Sequence, residues 1–247
     1  MDTTVTKDLD LSTLVLLHGS HADRAEGVCL LEAVAWFAGL PHSDRPECTD
    51  VALAAYGRSL NDRLRDDERQ ALRDLVPRLV GTRGSRVLAR RRAYHLVDRH
   101  LRTNLPAFFR ELPNKPRPDL AARLEGLPPV VDGKSANRAR DLAREIRDEI
   151  RSTLSDDDAD AAYADAADAA YADAAYAAAA YAAAYAAAAA YAYAAAAAYA
   201  AAYAAAYAAG ADAADAADAA DFKALRKRTI ERSIASFVEA IELTEEK

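Results

Sequence analysis

Along the first hundred positions the apolar residues recur at helical spacing in short stretches, and no stretch alternates as a half-buried strand would. From Ala25 to Ala38, Val28, Leu31, Ala35 and Ala38 share one face, with Gly39 where a helix would stop. The loop from Leu40 to Glu47 offers Ser43 or Asp44 as a cap and Pro46 for a first turn, so a second helix is predicted from about Glu47 to Leu64. Asp66, Asp67 and Glu68 make an acidic start. Leu72, Leu75, Val76 and Leu79 then form a third apolar face, which Pro77 should kink or shorten. Beyond Gly81-Thr82-Arg83-Gly84, a fourth helix is predicted from Ser85 to about Asn104, with Leu88, Tyr94, Val97 and Leu101 inward. The run Leu11 to Leu17 fits a helix or a brief strand equally well.

Six prolines between Pro106 and Asp132 predict a mostly irregular segment with a short helix near Leu120 to Glu125, ended by Gly126. From Ser135 the pattern strengthens, with Ala139, Leu142, Ile146, Ile150 and Leu154 on one line and arginines on the other faces. After Phe222, Ile230, Ile234, Phe237, Val238 and Ile241 make a last amphipathic helix, whose apolar face should return along the preceding segment or onto the first domain. The expected fold is all-α. A helical module spans 1–132, a long helix 133–209 that is rich in Ala and Tyr from about 155, and an aspartate-triplet segment with the terminal helix 210–247.

Composition changes the picture most between Ala159 and Ala209, where alanine dominates and neither Pro nor Gly occurs. Such a run favours helix by propensity, and 55 residues from Ser155 make a rod of about 80 Å. At 100° per residue, Tyr163, Tyr171, Tyr181, Tyr185, Tyr199, Tyr203 and Tyr207 fall within an arc of roughly 80°. Tyr193 lies just outside the arc, and Tyr176 and Tyr191 lie on the far side. The stripe suits packing against a second copy, the same chain folded back, or another surface. A simple repeat tolerated as a spacer explains the composition as well, since alanine, aspartate and tyrosine share closely related codons.

The formal charge of −7 belongs to this segment. Asp156 to Asp221 holds eleven of the 39 acidic residues and no Lys or Arg, leaving 28 acidic against 32 basic elsewhere. After Gly210, Asp212, Asp215, Asp218 and Asp221 spiral around a helix at three-residue intervals and make no coherent acidic face. No run of about 20 strongly apolar residues marks a membrane span. The amino terminus lacks the pattern of a signal peptide, and two cysteines are too few for a disulfide scaffold, so a reducing cytoplasmic location is expected.

Candidate chemistry is confined to two clusters. His18, His21, Cys29, His42 and Cys48 offer enough imidazole and thiol to fill a tetrahedral zinc site, although their spacing matches no standard finger. Ordinary capping and core roles are the alternative, and a Cys29 nucleophile with His21 or His42 as base is a third reading. Glu32 shares a helix side with Cys29. Separately, Arg83, Arg86, Arg90, Arg91, Arg92, Arg99 and Arg102 concentrate positive charge on the fourth helix. Phosphate binding would need such a patch, but Asp98 interrupts it, and a solvated or salt-bridged face is the reading preferred over nucleic acid.

The stretch from Cys29 to Cys48, CLLEAVAWFAGLPHSDRPEC, is similar to a motif in uncharacterised proteins of actinobacteria and their phages. Ser59 to Leu64 and Leu75 to Arg83 extend the likeness, which covers roughly residues 18 to 105. The resemblance implies no catalytic roles. Some such proteins look like fusions of this module to alanine-rich repeats, implying that the module is the inherited unit and the repeat a variable extension. The expected function is a non-enzymatic interaction or spacer protein that packs or self-associates through its Ala/Tyr helix, with no cofactor. The alternative is a small zinc-binding or enzymatic module at the His/Cys cluster.

Overall fold

The computed structural model describes residues 9–113, 116–152 and 216–245, and among them all regular structure is helical, with no strand. The Ala/Tyr stretch 155–209, its tyrosine stripe and the aspartates up to Asp215 lie outside the described residues. Two compact units emerge. One joins the chain up to Arg92 with the residues from Phe237 onward, and the other runs from Ala93 to Ser236.

In the first unit, α1 (Leu30–Phe37) starts five residues later than the apolar spacing suggests, because Cys29 is its N-cap and Glu32 reaches back to accept the Cys29 amide at 2.8 Å. This is the carboxylate half of a capping box. The helix ends as expected at Gly39, whose φ of 69° is the left-handed conformation glycine tolerates. Bonds from Leu40 N to Ala35 O and from Gly39 N to Trp36 O complete a Schellman closure.

Helix α2 (Val51–Arg63) is capped by Asp50, which accepts the amides of Ala52 and Leu53. The expected start at Glu47 with Ser43 or Asp44 as cap is thereby corrected. The Thr49 amide bonds to Pro46 O and the Asp50 amide to the Thr82 hydroxyl, holding residues 46–50 in a turn. The third apolar face is a broken helix of three pieces: α3 (Asp66–Arg69), a 3-10 stretch (Gln70–Leu75) and α4 (Val76–Leu79). Pro77 sits in the first turn of α4, where its missing N–H costs nothing. Helix α1 packs on α2 and α4, and Leu30, Leu31, Leu53, Leu72, Val76 and Leu79 are fully buried.

The run Leu11 to Leu17 is neither helix nor ladder strand. It is a turn followed by extended chain with Leu14 and Leu16 buried. The Gln70 side-chain amide bonds to both the N–H and the C=O of Leu16, and Leu17 N bonds to Val28 O. One glutamine thus does for this peptide what a neighbouring strand would do.

Helix α5 (Arg86–Arg99) begins where expected, with the Ser85 hydroxyl accepting the Leu88 amide. It passes into a π-helical turn (His100–Asn104) and then α6 (Leu105–Glu111), which corrects the expectation of irregular chain from Pro106. Pro106 lies in the first turn of α6, directly after the wider π turn, where the helical bonding changes register and its missing N–H is accommodated within a continuous helical run. In the second unit, α6 packs on α7 (Pro118–Glu125), and α7 on α8 (Gly133–Ser152). Glu149 of α8 receives both Arg117 and Arg123 at 2.6 Å. Helix α9 (Ala216–Ile241) is held there by Arg228 and Arg232 on Glu111, by buried Leu225, and by the Asn104 amide on the Ser236 hydroxyl at 3.0 Å.

The end of α9 belongs to the first unit, where Phe237 is fully buried with its ring centroid 4.8 Å from that of Tyr56. Of the two docking sites expected for this helix's apolar face, Phe237 takes the one on the first domain. No helix among the described residues is long and apolar enough to cross a membrane.

Candidate functional site

Glu32 is the centre of the His/Cys cluster. Its side chain is 1 % exposed, yet it carries a carboxylate, and burial alone would keep it protonated. Donors outweigh burial. The amides of Cys29 and His21 each donate at 2.8 Å, and His21 Nδ1 donates at 2.8 Å, so the carboxyl sits below its ordinary value of 4.5. His42 approaches from the loop after α1, with Nε2 donating to the His21 carbonyl at 3.0 Å and lying 3.6 Å from Glu32. The carboxylate thereby ties the segment 18–29, the start of α1 and the 40–47 loop together.

These contacts assign the histidine tautomers: His21 carries its proton on Nδ1 and His42 on Nε2, since each faces an acceptor. Gly27, at φ 143°, leaves the room His21 requires. A Cβ there would meet Leu17 Cδ1 at 2.4 Å and His21 Nε2 at 3.2 Å.

The five residues proposed for zinc are not gathered. Among the described residues no three His, Cys, Asp or Glu side chains stand where they could hold one metal ion. His21 and His42 are drawn to Glu32, and His18 is exposed on the bend before them. Cys48 is half-buried beside the Thr49 hydroxyl at 3.8 Å. Cys29 is buried at the α1 cap, and its surroundings push the thiol up to about 12. Burial dominates that shift and the Glu32 carboxylate adds to it, so the sulfur is a neutral thiol at pH 7 and a poor nucleophile.

Most arginines of the basic patch are engaged within the fold. Arg92 is buried and lies 3.2 Å from Asp50, with further bonds to the carbonyls of Thr82, Ala240, Ile241 and Leu243. Arg91 donates to the Thr244 carbonyl, Arg83 to that of Glu47, and Arg102 to Leu127 O and Asp98. Arg99 reaches Thr103 at 3.4 Å, and Arg86 and Arg90 are exposed. A row of arginines in sequence is thus mostly a set of carbonyl caps.

Sequence reasoning missed two further polar centres. Buried Asn61 accepts the Leu30 amide and donates to Leu17 O, and buried Arg69 donates to Asn61 O and Leu64 O at the end of α2. The Cys-x-x-Glu spacing announces the Glu32 cap, whereas nothing local announces partners 31 or 44 residues away. Comparison of the chain with family models, curated proteins and solved structures returns no match.

Proposed function

We propose that this chain is a non-enzymatic interaction or scaffold protein in which a helical module anchors the Ala/Tyr-rich segment 153–215, and that this segment packs or self-associates through its tyrosine stripe. The observation that carries the reading is the placement of the two flanking helices. Glu149 near the end of α8 and Arg228 and Arg232 in α9 are each fixed within the second unit, and the chain after Ser236 is built into the core of the first. The repeat is accordingly an insertion held at both ends rather than a tail. The buried polar groups support the same view, because Glu32, Asn61, Arg69 and Arg92 satisfy backbone amides and carbonyls. Two free thiols suit a reducing cytoplasm. Light scattering of the full chain, compared with a chain whose residues 153–215 are replaced by a Gly/Ser linker of equal length, should show a larger assembly for the former. Equal masses overturn the reading.

A further inference from the structure

We propose that α9 is a separable ligand of the rest of its own chain, so that a protein cut within 153–215 stays assembled as two pieces, one ending at the cut and one carrying 216–247. The helix is held by residues that precede Ser152. In the second unit Arg228 and Arg232 pair with Glu111, Leu225 is buried, and the Asn104 amide donates to the Ser236 hydroxyl with both side chains buried. In the first unit the Phe237 ring meets Tyr56 and lies against Gly57, where a Cβ would stand 3.3 Å from it. Arg92 donates to the carbonyls of Ala240, Ile241 and Leu243, and Arg78 pairs with Glu242 at 2.8 Å. Ser85 donates to the Glu245 carboxylate through its amide at 2.7 Å and its hydroxyl at 2.9 Å.

A single helix is marginal in water, so docking must offset the cost of ordering it. The contacts run from Leu225 to Glu245 and fix the helix along its length rather than at one point. Docking also buries Phe237 and Ala240 fully and gives carbonyl acceptors to the buried Arg92 guanidinium, which would otherwise be stranded in the interior. Against these gains the connecting chain contributes only an effective concentration, in the millimolar range at best. At micromolar protein its loss weakens the association about a thousandfold, the same order as truncating a single buried phenylalanine. The anchors of α9 number several such groups, so the cut is the smaller term. The proposal uses only contacts outside 153–215 and stands whether or not that segment self-associates.

The test uses the full chain with a protease recognition sequence inserted between Ala186 and Ala187, folded first and then cut to completion as judged on a denaturing gel. The two pieces should elute together in size-exclusion chromatography at micromolar concentration, keep the helical circular dichroism of the uncut chain, and part in urea. Pieces that part without denaturant overturn the proposal. Each piece carries some of the Ala/Tyr segment, so a second chain has 153–215 replaced by a Gly/Ser linker holding the same recognition sequence. Its pieces should also stay together. Pieces that pair only when the Ala/Tyr stretch is present overturn the proposal and leave packing of that stretch standing. In the linker version Phe237→Ala should weaken the pairing by about a hundredfold or more, read from the concentration at which the pieces separate. Arg78→Ala, at the exposed Glu242 pair, should weaken it by less than about tenfold. Pairing unchanged by Phe237→Ala overturns the docking site.

Discussion

The Asp50 carboxylate lies 3.2 Å from the Arg92 guanidinium with both side chains almost wholly buried, and each residue of the pair also closes the end of a helix. Asp50 caps the start of α2 through two amides, and Arg92 takes the final carbonyls of α9. Removing one partner strands the other in a low-dielectric interior. Arg92→Ala should therefore destabilise the fold by about 3–5 kcal/mol in urea denaturation. In a double-mutant cycle with Asp50→Ala, the double variant should lose less than the two single losses combined. Strict additivity would show that the pair is not coupled.

Glu32→Gln keeps the shape and removes the charge that receives two amides and His21, and should cost about 1–3 kcal/mol. The pH dependence has a definite sign. Because the folded pKa of Glu32 lies below 4.5, its contribution is present above that value and is lost as pH falls through the folded pKa. Urea midpoints of the native chain should drop in this acid range more steeply than those of Glu32→Gln. Parallel curves would remove Glu32 from the account.

Thiol labelling separates the two cysteines. With the Cys29 thiol pushed up to about 12 and buried, native protein at pH 8 should react with a disulfide reagent at Cys48 only, and the second equivalent should appear on unfolding. Fast labelling of Cys29 in the folded state would contradict the packing described at the α1 cap.

Gly57→Ala sets two effects against each other. Replacing a mid-helix glycine gains up to about 1 kcal/mol of helix propensity. The new methyl, however, would stand 3.0 Å from Leu31 Cδ2 and 3.3 Å from both Leu30 and Phe237, all three of them fully buried. Overpacking of this kind costs about 1–3 kcal/mol, so net destabilisation is expected. A raised melting temperature would mean that these neighbours yield.

Helix type was legible in the sequence wherever burial repeats every three or four residues. Val28, Leu31, Ala35 and Ala38, and likewise Leu72, Leu75, Val76 and Leu79, are buried as their spacing implies. Helix starts were less so, because the loop before α2 holds several competent caps and the choice of Asp50 depends on Thr82, which is distant in sequence. Pro106 misled for a related reason: a proline reads as a breaker until the preceding π turn puts it in a first turn. In the candidate site the residue types suggested metal or phosphate chemistry. What decided their roles was the supply of unpaired backbone groups nearby, which appears only when the chain is folded.

On either side of the Ala/Tyr segment, Glu149 holds Arg117 and Arg123, and Arg228 and Arg232 hold Glu111, contacts whose partners all lie outside the stretch between Ser152 and Ala216. A change in the number of repeat units therefore asks for no matching change in these ion pairs. Selection is then free to act on length as a trait separate from fold.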